Sequence, residues 1–218
     1  MKAIDFLDYL CDLMLLLAMI SSIIRFKEAD TSSRLLCYLL CLSFLTEALA
    51  YFAAKRFHNN IPVYTVFSLF ELMLTSLYFN YCIDIFYKYR IGVYIGIVGF
   101  ILGVLNIIFL QSISRINSNF LFFEGIVIIA MAFTLFARLV MKHDTLRIKA
   151  YHHFWFAVIL TFYWCSNFFN LSLYQQIIFA HKPIALLLNM LNFIVNIITY
   201  LSIAIVFLLY PKMQKQDE

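Results

Sequence analysis

Long apolar stretches of about twenty residues, broken by short polar links, make up almost the whole chain. About 20 residues of α-helix cross the hydrocarbon core of a bilayer. Seven stretches meet that length: 4–24, 34–54, 62–86, 91–110, 119–141, 154–174 and 184–210. The two-residue alternation of a membrane β-barrel is absent. The pattern therefore predicts an all-α membrane protein, a single integral domain over 1–218 built as a seven-helix bundle. Pro62 and Pro183 open spans, where a missing N–H is harmless, and Pro211 is expected to close the last one.

The polar residues inside these spans fall in lines. Tyr64, Ser68, Glu71, Thr75, Tyr78 and Cys82 step by four and three residues and share one helix face. Asn167 and Asn170 continue such a line between Tyr163 and Tyr174. Asn189, Asn192 and Asn196 form another that ends on Tyr200. Glu47 and Glu124 add two more carboxyls within spans, and Asp12 a third. The fourth span differs: Gly92, Gly96, Gly99, Gly103 and Asn106 form a smooth stripe of the kind that lets helix backbones approach closely. Asn106 favours packing inside the bundle, and a homodimer seam along the four glycines is the alternative. Glu47 and Glu71 lie 24 residues apart and Asn167 and Asn192 lie 25 apart, which suggests a three-plus-one-plus-three layout of parallel halves.

Charge orients the bundle. Eleven of the sixteen basic residues (Arg25, Lys27, Arg34, Lys88, Arg90, Arg138, Lys142, Arg147, Lys149, Lys212 and Lys215) fall on the side of the odd-numbered links and the C-terminus. The positive-inside rule puts that side in the cytoplasm and the N-terminus outside, as in a bacterial inner membrane. Only 13% of residues are charged, about half the soluble-domain share. The excess of positive charge sits at span ends, so topology and contact with membrane lipids explain it and no nucleic-acid partner is implied. Met1–Asp12 lacks the pattern of a cleavable signal.

On that topology Glu47 and Glu71 lie roughly 3–5 Å outward of their span midpoints, Asp12 about 3 Å, and Glu124 about 9 Å. A buried carboxylate costs several kcal/mol unless paired, hydrated or neutralised. Asn106, Asn167, Asn170, Asn189, Asn192 and Asn196 lie at or outward of the midpoints. The expectation is an acidic, amide-rich cavity in the outer half of the bilayer, walled by aromatics including Tyr51 and Tyr78. No basic residue shares its depth, so it suits a small cationic or polar ligand.

No catalytic, metal or cofactor site is expected. His58, His143, His152, His153 and His181 lie in links or at span ends, and no H-E-x-x-H or G-x-S-x-G occurs. The last span has no lysine for a retinal Schiff base. The five cysteines form no CxxC pair and read as packing residues. The leading expectation is a non-enzymatic receptor-like or sensor-partner protein, with the basic link 142–149 (Lys142, Arg147, Lys149) as the face for a cytoplasmic signalling partner. A proton- or cation-coupled small-solute transporter is the alternative, and an intramembrane lipid hydrolase the third.

Three stretches carry a resemblance: Thr46-Glu47 with Tyr51, the run Asn59/Asn60, Tyr64, Phe67, Glu71 and Tyr78, and Asn192 with Asn196. The chain resembles a large, mostly uncharacterised group of small multi-span membrane proteins from Bacteroidetes. Some of these are thought to be encoded near sensor histidine kinases, and others resemble accessory membrane proteins of type VI-B CRISPR loci. The resemblance implies a signalling or accessory role and carries over no catalytic residue.

Overall fold

The computed structural model describes the backbone of residues 2–141, 151–180 and 182–217, and within them all side chains except those of 2, 3, 5, 169–180, 182–185 and 214–217. The described residues form eight helices and no strand: α1 Lys2–Arg25, α2 Thr31–Phe57, α3 Ile61–Cys82, α4 Asp84–Tyr89, α5 Ile91–Phe109, α6 Ser118–Met141, α7 His152–Ala180 and α8 Lys182–Asp217. Six of them, all but α4 and α7, contain stretches long and apolar enough among the described residues to cross a membrane. α7 runs for 29 residues. Leu13, Leu17, Ile20, Leu49, Ile101 and Phe133 are exposed along these helices. So much outward apolar surface is unfavourable in water and suits lipid.

Local chemistry sets several helix ends. Asp30 caps α2, its carboxylate accepting from the Ser33 N–H at 3.1 Å, which satisfies one of the four unpaired donors of the first turn. α2 ends on His58 in the left-handed region, φ 54°. The span expected over 62–86 is shorter than that. α3 stops at Cys82, Ile83 is extended (φ −112°, ψ 113°), and α4 starts afresh with Asp84 in its first turn. The 22 residues of α3 already cover about 33 Å, enough for the hydrocarbon core. An acidic residue also suits a helix N-terminus better than a helix interior in lipid. Pro211 does not close the last helix, because α8 continues through it to Asp217. A proline removes one backbone hydrogen bond and bends a helix without having to end it.

The packing partners define a ring. α1 lies against α8 and α2, α2 against α3, α3 against α6, α6 against α7, and α7 against α8. α5 stands outside this ring against α3. The glycine stripe is what lets it do so. Gly92, Gly96, Gly99 and Gly103 all face α3, where Ser76, Asn80, Met73, Leu72 and Leu69 occupy the space a Cβ would need. The stripe is thus filled within the chain. The Gly92 N–H also donates to the Asn80 carbonyl Oδ1 at 3.1 Å. A core of Leu72, Phe79, Ile128, Leu135, Phe156, Ala204 and Phe207 fills the ring.

Candidate functional site

Successive long helices reverse direction along the chain, so side chains from the start of one helix and the end of the helix before it meet at the same level. At the level of the α2–α3 and α5–α6 links the ring opens into a cavity of about 470 Å³, within the ordinary range for small-molecule sites. All six ring helices contribute to it. α1 supplies Asp8, Cys11 and Asp12, α2 supplies Ser43, Thr46 and Glu47, and α3 supplies Tyr64, Ser68 and Glu71. Tyr163 and Trp164 come from α7, and Asn189, Asn192, Asn196 and Tyr200 from α8. The links add Asn60 and Asn117, and α6 adds Leu121. Among the described residues four carboxyls line the cavity and no lysine or arginine does. Asp8 and Asp12 are exposed at the mouth, whereas Glu47 and Glu71 are half-buried. The Tyr64 hydroxyl donates to Glu47 Oε2 at 2.7 Å, a contact that ties α3 to α2 across the rim.

Of the residues expected to form the site, Asp12, Glu47, Glu71, Asn189, Asn192 and Asn196 meet here. Others do not. Tyr51 is 64% exposed on the outside of α2, with the Lys55 ammonium 4.2 Å above its ring. Each four-residue step rotates a helix by about 40°. Glu47 already stands at the edge of the buried stripe Ser43, Thr46, Ala50, so the next step leaves the lining. Tyr78 shares a face with Glu71 but lies about 10 Å further along the axis, fully buried near the other end of the bundle. Asn106 follows α5 outside the ring. It donates to Gln111 Oε1 at 3.1 Å and bonds Asn117, knotting the α5–α6 link. Glu124 is fully buried and is not among the residues lining the cavity, and its two oxygens have no hydrogen-bond partner among the described residues. It is within electrostatic reach of Glu71. Asn167 is buried with its Nδ2 unpartnered among the described residues. The side chain of Asn170 and the whole link 142–149 lie outside the described residues.

The bundle has a second polar centre that the spacing of residues did not reveal. It lies at the opposite end, where the α1–α2 link meets the start of α7 and the end of α8. The Asp30 carboxylate stands 3.1 Å from His153 Nε2 and 3.6 Å from His152 Nε2. The Tyr210 hydroxyl donates to Asp30 Oδ1 at 3.2 Å and accepts from the Asp30 backbone N–H at 2.9 Å. Tyr78 Oη and Cys82 Sγ each lie 3.4 Å from His153 Nδ1. Burial opposes the Asp30 charge, but the two imidazoles and the Ser33 side chain outweigh it and hold the carboxyl well below the usual carboxylate range. The adjacent histidine pair is visible in the sequence, but its partner is more than a hundred residues away, and no local period connects the two. The polar face of α3 joins the centres. Tyr64, Ser68 and Glu71 belong to the cavity, and Tyr78 and Cys82 to the histidine cluster.

No family model matches the chain, and neither does any curated protein or solved structure.

Proposed function

We propose that the chain is a seven-span membrane-embedded binding protein, receptor-like rather than enzymatic, whose cavity holds a small organic cation. One observation carries the reading: a cavity of about 470 Å³ that, among the described residues, is lined by four carboxyls and no basic side chain. Anions are disfavoured there by Coulomb repulsion, which low-dielectric walls strengthen. Tyr64, Tyr163, Trp164 and Tyr200 supply ring faces of the kind that attract ammonium groups. The α8 asparagines supply acceptors and donors that orient a hydroxyl or amide on the ligand. In this reading α7 is the seventh span. Helices α1–α3 and α6–α8 are the two halves of a three-plus-one-plus-three layout, with α5 between them in sequence. By the positive-inside rule the cavity opens away from the cytoplasm of a bacterial inner membrane.

The test is binding to the full chain in lipid nanodiscs, with choline and tetramethylammonium as probes and glycerol as the uncharged comparison. Saturable binding of the cations is expected, weakened about tenfold by Glu71→Gln, which corresponds to about 1.4 kcal/mol. Preference for glycerol, or affinity indifferent to Glu71→Gln, would refute the reading.

The α3 stripe supports a second reading, a cation-coupled transporter. Between Glu71 and Tyr78 the stripe carries Thr75, with Ser76 beside it. Both are buried and form a polar line from one centre to the other. Proteoliposome flux that disappears in Glu71→Gln selects this reading, and binding without flux selects the first.

A further inference from the structure

We propose that Asp30, His152 and His153 form a binding site for one divalent transition-metal ion of the zinc class, at the end of the bundle opposite the cavity. The proposal does not rest on the cavity or on its ligand.

The donor set fits such an ion. Two imidazoles and one carboxylate are a common set for zinc and its neighbours, whereas magnesium and calcium take oxygen donors. The spacing also fits. Two donors each about 2.1 Å from one ion, at a tetrahedral angle, stand about 3.4 Å apart. The carboxylate oxygens lie 3.1 and 3.6 Å from the two Nε2 atoms. One donor atom from each of the three residues falls within 4.8 Å of the other two. They converge from the α1–α2 link and the first turn of α7, so the helix packing rather than a local turn brings them together.

His152 has an unmet need. It is 7% exposed, and neither of its ring nitrogens has a hydrogen-bond partner among the described residues. At 3.6 Å its approach to Asp30 is too long for a hydrogen bond. A simple ion-pair clasp would draw that nitrogen in to about 2.8 Å. A cation between the two groups satisfies the nitrogen at the distance observed. The surroundings provide the outer support that such sites use. Tyr78 Oη lies 3.4 Å from His153 Nδ1, the ring nitrogen turned away from the carboxylate, and Tyr210 orients the carboxylate. Three protein donors on a four-coordinate ion leave one position for water or another exchangeable ligand. This is the open arrangement of zinc sites that do chemistry or sense a ligand, as opposed to closed structural ones.

The experiment uses the full chain purified in detergent, stripped with chelator, loaded with Zn²⁺ and desalted, with metal counted by mass spectrometry. One zinc per chain is expected, as are visible d–d bands when Co²⁺ replaces zinc. His152→Gln is expected to weaken zinc binding at least about a hundredfold. Asp30→Asn, which keeps a capping oxygen for α2, should weaken it similarly. His58→Gln, at the other end of the bundle, should leave it unchanged. Failure to take up one zinc per chain, or unaltered affinity in a folded His152→Gln variant, overturns the proposal. X-ray absorption of the zinc-loaded wild type provides a measurement that needs no variant. A shell with two imidazole nitrogens and oxygen at about 2.0–2.2 Å supports the assignment, and a zinc–sulfur distance of about 2.3 Å or an all-oxygen shell overturns it.

Discussion

Substituting alanine at Gly92 isolates how α5 is held. A Cβ built there meets the backbone carbonyl oxygen of Ser76 and the Cα and Cβ of Asn80. None of these is the free end of a side chain, so the clash is relieved only by moving α5 away from α3. Overpacking of this kind costs about 1–3 kcal/mol. The shift also loosens the buried hydrogen bond from the Gly92 N–H to Asn80, 3.1 Å long, for about 1 kcal/mol more. The higher helix propensity of alanine returns at most about 1 kcal/mol. The net loss is about 1–3 kcal/mol, an apparent melting midpoint about 2–12 °C lower for a chain of this size. Gly96→Ala is the internal control. The atoms nearest its Cβ belong to Met73, at 3.4 Å or more, so the propensity gain dominates and the midpoint holds or rises. Gly99→Ala meets the flexible end of Leu72, and a second change, Leu72→Ala, should offset part of its cost, a coupling a double-mutant cycle reads directly. The assay is intrinsic-fluorescence melting of the full chain in one detergent. A neutral Gly92→Ala, or a Gly96→Ala as damaging as Gly92→Ala, would refute the claim that the stripe is closed by α3 backbone.

Three other perturbations have defined outcomes. Asn106→Ala should cost about 1–3 kcal/mol by leaving its buried partners unpaired, and hydrogen exchange should speed up in residues 110–117 before it changes elsewhere. Tyr64→Phe removes the 2.7 Å hydrogen bond to Glu47 and should shift an isotope-edited carboxyl infrared band, whereas Tyr51→Phe, outside the cavity, should leave the band in place. Tyr210→Phe removes both bonds to Asp30. It should destabilise the chain by about 1–3 kcal/mol and make residues 26–30 more accessible to protease, with no change around Asn60.

Where the stripes lead was legible only in part. Glu47, Glu71 and the α8 asparagines were readable as members of one cavity because depth and helix face both follow from counting residues. Asn60 and Asn117 were not, since they sit in links whose course over the mouth depends on the helices they join. Tyr51 shows the limit of face arithmetic, because a 40° drift matters only once the neighbouring helices are known. Glu124 shows the limit of depth arithmetic, because a carboxyl on the expected face can be fully buried in the packing and not line the cavity.

The order of apolar lengths along the chain was enough to determine helices, their number to within one, and a membrane as their solvent. The helical period was enough to show which polar residues share a face. These are local properties, set by rise per residue, rotation per residue and the cost of bare polar groups in hydrocarbon. Tertiary structure alone decided that α5 stands outside a ring of six, that the polar face of α3 links two separate centres, and that Asp30 meets a histidine pair more than a hundred residues later. Those outcomes depend on which helices pack together and at what level, and such contacts between distant segments leave no period in the sequence.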